Sequence, residues 1–155
     1  MTGLPIPPDF TTFWTQAKQQ GFNPKAASIG KAMLFPQAVE ALDDQGHNLS
    51  SEDWSSPTHP STSSLTVQSA GDLAAGNTAA TGKQWTQPIG FAHALFEVAA
   101  DVMGRVEDSR DPDEVTSAIA ATQLSSTVGR LAFDGAGLPP FAAQNVAKTP
   151  LVGGQ

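Results

Sequence analysis

The sequence predicts an α/β fold, a sheet flanked by helices, and three features predict it. Residues 9–42 alternate helix, strand and helix patterns, the succession from which α/β layers are built. Phe91, Ala94, Leu95, Val98 and Val102 recur at i, i+3, i+4, i+7 and i+11, one apolar stripe at the helical period. With Phe96 beside Leu95 and Val98, that helix has more apolar face than a surface helix needs, so it is expected to pack on a sheet. The 14 glycines and 12 prolines among 155 residues exceed average usage and imply many connections between these segments.

In chain order, Leu4-Pro5-Ile6-Pro7-Pro8 cannot be a central strand, because proline has no N–H for the ladder. Asp9 reads as the N-cap of a first helix whose apolar face is Phe10, Phe13, Trp14 and Ala17, with Gly21 closing it. Residues 25–29 form a strand, Gly30-Lys31 a turn and residues 35–42 a short helix. A polar turn covers 43–48, and a second strand over 49–55 carries Trp54. Serine, threonine and proline dominate 55–64, a long loop. Residues 65–80 read as a helix in which Gly71 and Gly76 each cost about 1 kcal/mol relative to alanine. Gln87-Pro88-Ile89-Gly90 is expected to break regular structure, as a stiff crossover feeding the Phe91 helix. Asp111 as N-cap, Pro112 at N1 and the acids Asp113 and Glu114 start a further helix, running to about residue 122. Residues 127–133 alternate as a strand, Asp134-Gly135-Ala136-Gly137 turns, and 144–152 is a last strand or extended arm. There is no internal repeat.

Charge and composition exclude several functions. A net charge of -7 argues against binding a phosphate backbone. With no cysteine there is neither a disulfide framework nor a thiolate metal site. No run approaches the roughly 18 apolar residues of a membrane span. Met1-Thr2-Gly3-Leu4-Pro5 has no basic or apolar leader pattern, so the chain as given reads as soluble and not exported. The segment from Gly76 to Gln84 superficially resembles a phosphate loop. It has the wrong glycine spacing, Gln84 where a magnesium-binding hydroxyl belongs, and no preceding strand, so it reads as a helix end with a glycine cap. His47, His59 and His93 have no histidine partner at i+3 or i+4. His47 reads as a solvated turn residue and His93 as a half-buried helix residue. No Gly-x-Ser-x-Gly elbow occurs. No catalytic residue, metal or cofactor is therefore expected, and the chain does not read as an enzyme.

Three stretches taken together carry a family resemblance. They are Pro7-Pro8-Asp9-Phe10-Thr11-Thr12-Phe13-Trp14, the segment from Gly30 through Phe35-Pro36-Gln37 to Leu42, and the segment from Thr81 through Gln87-Pro88-Ile89-Gly90-Phe91 to Phe96. The ending from Asn145 to Gln155 adds to them. In this order they resemble the C-terminal part of the type I periplasmic solute-binding proteins of ABC transporters, the leucine/isoleucine/valine-binding type. The resemblance implies a two-lobed clamp, here partial, in which each lobe is a sheet flanked by helices and hinge bending closes on a solute. The family's chain is much longer, so a C-terminal fragment is implied. Residues 1–87 would be a second-lobe portion, 88–134 the hinge crossover with first-lobe helices and strand, and 135–155 the C-terminal return strands.

By position, the resemblance implies ligand-binding roles for Gly30, Lys31, Trp54, Ser55 and Phe91. Gly30 and Lys31 follow the first strand; Lys31 either pairs with a ligand carboxylate or is an ordinary solvated lysine. Trp54 and Ser55 end the next strand, Trp54 either stacking on a ligand or plugging the lobe's edge. Phe91 stands at the hinge and begins the apolar stripe. The function implied is extracytoplasmic capture of an amino-acid-like or small organic-acid ligand for an ABC permease, with no bond made or broken. The alternative is a stand-alone α/β interaction module without ligand capture, self-associating through exposed sheet edges.

Overall fold

The computed structural model describes residues 2, 3, 5–141 and 145–154. Two compact units emerge, one of Met1–Asp53 with Leu151–Gln155 and one of Trp54–Pro150.

The first unit runs β1 (Thr2–Gly3), α1 (Pro7–Gln19), β2 (Ala27–Ile29), α2 (Pro36–Glu40), a 3₁₀ turn (Asp43–Gly46) and β3 (Leu49–Asp53), and it regains β6 (Val152–Gly154) from the chain's end. Strands stand in the order β1-β2-β3-β6, the first three parallel and β6 antiparallel to β3, with Asp53 opposite Val152 and Ser51 opposite Gly154. Helical crossovers make the parallel pairs possible, since parallel neighbours cannot be joined by a tight turn. Pro7 and Pro8 open α1 from an extended Ile6 cap. Asp9 is therefore a first-turn acid rather than the N-cap: a proline ring fits N1, where its missing N–H would have no partner. Gly21 ends the helix at φ 78, as its sequence position implies. The core is Phe10, Trp14, Ala27, Ile29, Ala32, Leu42 and Leu49. Phe10 and Trp14 stack at 5.6 Å, the edge of Phe22 meets Trp14 at 6.2 Å, and Trp14 Nε1–H donates to the Gln45 carbonyl at 2.7 Å. Phe13, expected on the same buried face, is exposed.

The second unit contains α3 (Ala70–Thr81), α4 (Gln87–Arg105), α5 (Pro112–Ala120) and an antiparallel hairpin of β4 (Gln123–Ser126) and β5 (Gly129–Ala132). α3 begins five residues later than its apolar content suggests, because Ser69 and Asp72 close a capping box there. The Ser69 hydroxyl donates to Asp72 Oδ2 at 2.6 Å while accepting from the Asp72 N–H at 3.0 Å. That hydroxyl, then the Ser69 N–H, holds the Asp72 carboxyl below its ordinary 3.8. A depressed folded-state pKa contributes stability above about 3.8 and loses it as pH falls through the lower folded value. Ser69→Ala should return the Asp72 carboxyl toward 3.8 in an NMR titration and fray the first turn of α3; an unchanged Asp72 pKa would contradict the box. Gly82 caps the far end at φ 68, its N–H donating to the Thr78 carbonyl, which is the glycine-capped helix end read from the sequence.

Two expectations for α4 do not hold. Gln87-Pro88-Ile89-Gly90 does not interrupt regular structure but forms the first turn of the helix, which starts from Thr86. Proline in a first turn forfeits no internal hydrogen bond, so a residue read as a breaker is a starter. The stripe is also turned: Leu95 is 72% and Phe96 77% exposed, whereas Gly90, Ala94, Glu97 and Val102 are buried. The cause is the hairpin turn, where Ser126, Thr127 and Val128 are buried. Such a turn must find partners for its amides. The Val128 N–H donates to Ser126 Oγ, and the Thr127 N–H points to Glu97 Oε2 at 3.4 Å. Glu97 is 4% exposed, and His93 Nδ1 lies 3.2 Å from the same oxygen.

α5 opens on Asp111 as expected, its carboxylate accepting from the N–H groups of Asp113 and Glu114, but it ends at Ala120, so that β4 begins where the helix was expected to finish. In the tail, the strand lies at Val152–Gly154; residues 145–151 are irregular, and Gln144, where the expected strand began, falls outside the described residues. Among the described residues, no helix is long and apolar enough to cross a membrane.

Candidate functional site

The sequence-derived candidates divide between the units. Gly30 and Lys31 lie in the first, directly after β2: Gly30 is buried, and Lys31 is exposed in a left-handed conformation at φ 45. Trp54, Ser55 and Phe91 lie in the second. There the structure brings them together. The Trp54 and Phe91 rings meet at 4.9 Å with a 58° tilt, and the Trp54 N–H donates to Gln87 Oε1 at 3.3 Å. These two links tie the segment following β3 to the first turn of α4. Ser55 is buried against Gly90, whose missing side chain makes the approach possible.

Beside this junction is a shallow, open recess with room for about one water molecule. Ser55, Ser56 and Thr86 bring hydroxyl-bearing residues to it, Ala70, Leu73 and Ala74 of α3 form an apolar wall, and Trp85, Ile89 and Gly90 complete it. Its apolar wall and hydroxyls offer one edge of contact to a small solute, whereas complete ligand pockets, roughly 300–1,000 Å³, enclose most of one. Of the sequence-derived candidates, Ser55 alone lines the cleft. Ser56, Trp85, Thr86 and Gly90 were missed, although Gly90 carried a signal: a glycine inside a helical pattern marks close approach of another segment.

No group of three or more histidine and acidic residues that could hold a metal occurs among the described residues. His47 is exposed in its turn and His93 is half-buried, as the sequence suggested. Glu97 escaped the sequence reading; its spacing of four from His93 was the available signal.

No family model and no curated protein matches the chain. Solved structures do. A leucine-binding protein, LivK, from Thermotoga maritima superposes with a TM-score of 0.76 at 16% identity, over 98% of this chain and 39% of its own. The branched-chain amino acid transporter substrate-binding protein LivJ from Streptococcus pneumoniae, solved with isoleucine, gives a TM-score of 0.68 at 14% identity, over 86% of this chain and 36% of its own.

The chain has the fold of part of these binding proteins.

It spans less than two fifths of their length. The chain's mixed α/β architecture, with helices flanking a small sheet, agrees with the type I binding-protein fold of these neighbours, to which the ordered motifs pointed. The matched proteins are transport substrate-binding proteins rather than enzymes.

Proposed function

We propose that this chain is a portion of the solute-binding component of an ABC transporter, acting outside the cytoplasm on an amino-acid or small organic-acid ligand and handing it to a permease. What carries the reading is the superposition of 98% of the chain on a leucine-binding protein at a TM-score of 0.76. In this reading residues 1–87 belong to the second lobe, 88–134 contain the crossover and first-lobe elements, and 135–155 return to the sheet. Gly30, Lys31, Trp54, Ser55 and Phe91 are the residues assigned to ligand binding. The Trp54–Phe91 pair would hold the cleft wall, and the Ser55 and Thr86 hydroxyls would meet the solute's polar groups. No bond is made or broken; the protein's task is selective capture.

A recess this shallow meets only part of a solute's surface, so weak binding is expected. Titrating the chain with leucine, isoleucine and valine should shift the NMR resonances of Trp54, Ser55 and Phe91 with a Kd of roughly 1 mM, equivalent to about -4 kcal/mol. Phe91→Ala, which removes the ring supporting Trp54, should weaken this at least about 5-fold, near 1 kcal/mol for an aromatic pair. Shifts absent at ten times that concentration, or confined to other residues, would remove the cleft from the proposal.

A further inference from the structure

We propose that Gln87 is a positioning residue for the candidate solute site: it fixes the Trp54 backbone so that the indole lies against Phe91. The first turn of α4 spends its side chains in an unusual way. A helix start ordinarily turns a polar side chain back on the helix's own amides. Thr86, at the N-cap, makes no such bond. Gln87, the first helical residue, accepts through Oε1 from the Trp54 N–H at 3.3 Å, 33 residues away in the chain. Its side chain is buried. A buried amide is costly unless it is hydrogen-bonded, so a glutamine at this place supplies an acceptor that an apolar residue could not.

Trp54 creates the need. Its N–H comes directly after the last paired residue of β3, Asp53 opposite Val152, so its acceptor has to come from outside the ladder. Gln87 and Phe91 stand four residues apart, neighbours on one helix face. They grip Trp54 at two points, the amide at Gln87 and the ring at Phe91, where the centroids are 4.9 Å apart. Ring contact alone lets an indole slide. Anchoring the backbone as well removes that freedom beforehand, so less ordering entropy is lost when a solute arrives. Trp54, Gln87 and Phe91 all belong to the Trp54–Pro150 unit, so the grip is complete within it. The positioning role rests on the solute-capture reading; the grip on Trp54 does not.

Gln87→Met keeps the side-chain length without the acceptor, and Gln87→Glu keeps an acceptor oxygen at a helix N-terminus, where a carboxylate is well placed. Hydrogen exchange at the Trp54 amide and NOEs between the Trp54 and Phe91 rings read the grip, and an NMR titration with leucine reads the site. Gln87→Met should lower Trp54 amide protection about 5-fold, the scale of one net intramolecular hydrogen bond. It should also weaken the ring NOEs and raise the leucine Kd about 3-fold, the scale of ordering one side chain. Gln87→Glu should keep both within about 2-fold of the parent chain. Phe91→Leu separates the two holds: it should lose the ring contact yet keep the Trp54 amide protected. Parent-like Trp54 protection in Gln87→Met, or an equal loss of it in Phe91→Leu, would overturn the grip. An unaltered leucine Kd in Gln87→Met, with the grip lost, would overturn the positioning role. If leucine shifts nothing in the parent chain, the solute reading falls and the positioning role with it, while Trp54 protection in the variants still decides the grip.

Discussion

Gly90→Ala is expected to destabilise the Trp54–Pro150 unit by about 3 kcal/mol. A Cβ placed on Gly90 falls 2.0 Å from Ser55 Oγ, 2.3 Å from Ser55 Cβ and 3.0 Å from Val128 Cγ1. Carbon atoms in contact sit about 3.5–4.0 Å apart. A hydroxyl can rotate away; the Ser55 Cβ cannot, because it is fixed to a buried backbone. Relief therefore requires α4 to retreat from the loop at Ser55, from the buried hairpin turn, or from both. Overpacking that forces backbone shifts costs typically 1–3 kcal/mol, and contact on two sides places this substitution at the upper end. The reciprocal change supplies the control. Adding Ser55→Gly to Gly90→Ala removes both of the closest atoms and should recover at least half of the loss in urea melts. Loss below about 1 kcal/mol for the single variant would mean that the helix and loop do not meet as described. Because Ser55 and Gly90 both line the cleft, the single variant should also abolish the shifts produced by branched-chain amino acids.

In the other unit, Trp14→Ala is expected to cost about 4 kcal/mol, within the range for truncating a buried tryptophan. The side chain is 2% exposed, stacked on Phe10, met edge-on by Phe22 and held by its indole N–H to the Gln45 carbonyl. Lys18 Nζ stands 5.2 Å from the ring centroid, an exposed cation–π contact of lesser weight. Among the described residues, the core it belongs to has seven buried members, with Met33 packed against them. A unit this small has a margin of stability comparable to the loss, so Trp14→Ala should abolish hydrogen-exchange protection at the β2 amides from Ala27 to Ile29. Trp14→Phe keeps an aromatic stack and forfeits the hydrogen bond, and should cost about 1–2 kcal/mol. If both variants lost the same amount, the hydrogen bond rather than the packing would hold α1 in place.

Much of this architecture was legible because its causes are local. A proline pair can open a helix but not continue one, a glycine accepts the left-handed turn that ends it, and Asp111-Pro112 can hardly begin anything but a helix. The alternation of α1, β2, α2 and β3 followed from these signals together with their apolar spacing. Where two local signals competed, the reading went astray: Pro88 and Gly90 look alike as breakers or as the first turn of a helix. The choice depends on what packs against Gly90, and Ser55 is 35 residues away in the chain.

The candidate site shows the same division. Trp54 and Phe91 stood out as aromatic residues at element ends, and the structure sets their rings together. Serines, alanines and Thr86 lining the cleft carry no comparable signal, since residues of those types fill the rest of the chain. Composition, charge and the order of motifs were enough for the α/β class and for the likeness to a binding-protein fold. Which face of α4 points inward was beyond them. Periodicity locates a stripe but not its partner, and here a buried turn with an amide to satisfy drew Glu97 inward and left Leu95 and Phe96 facing water.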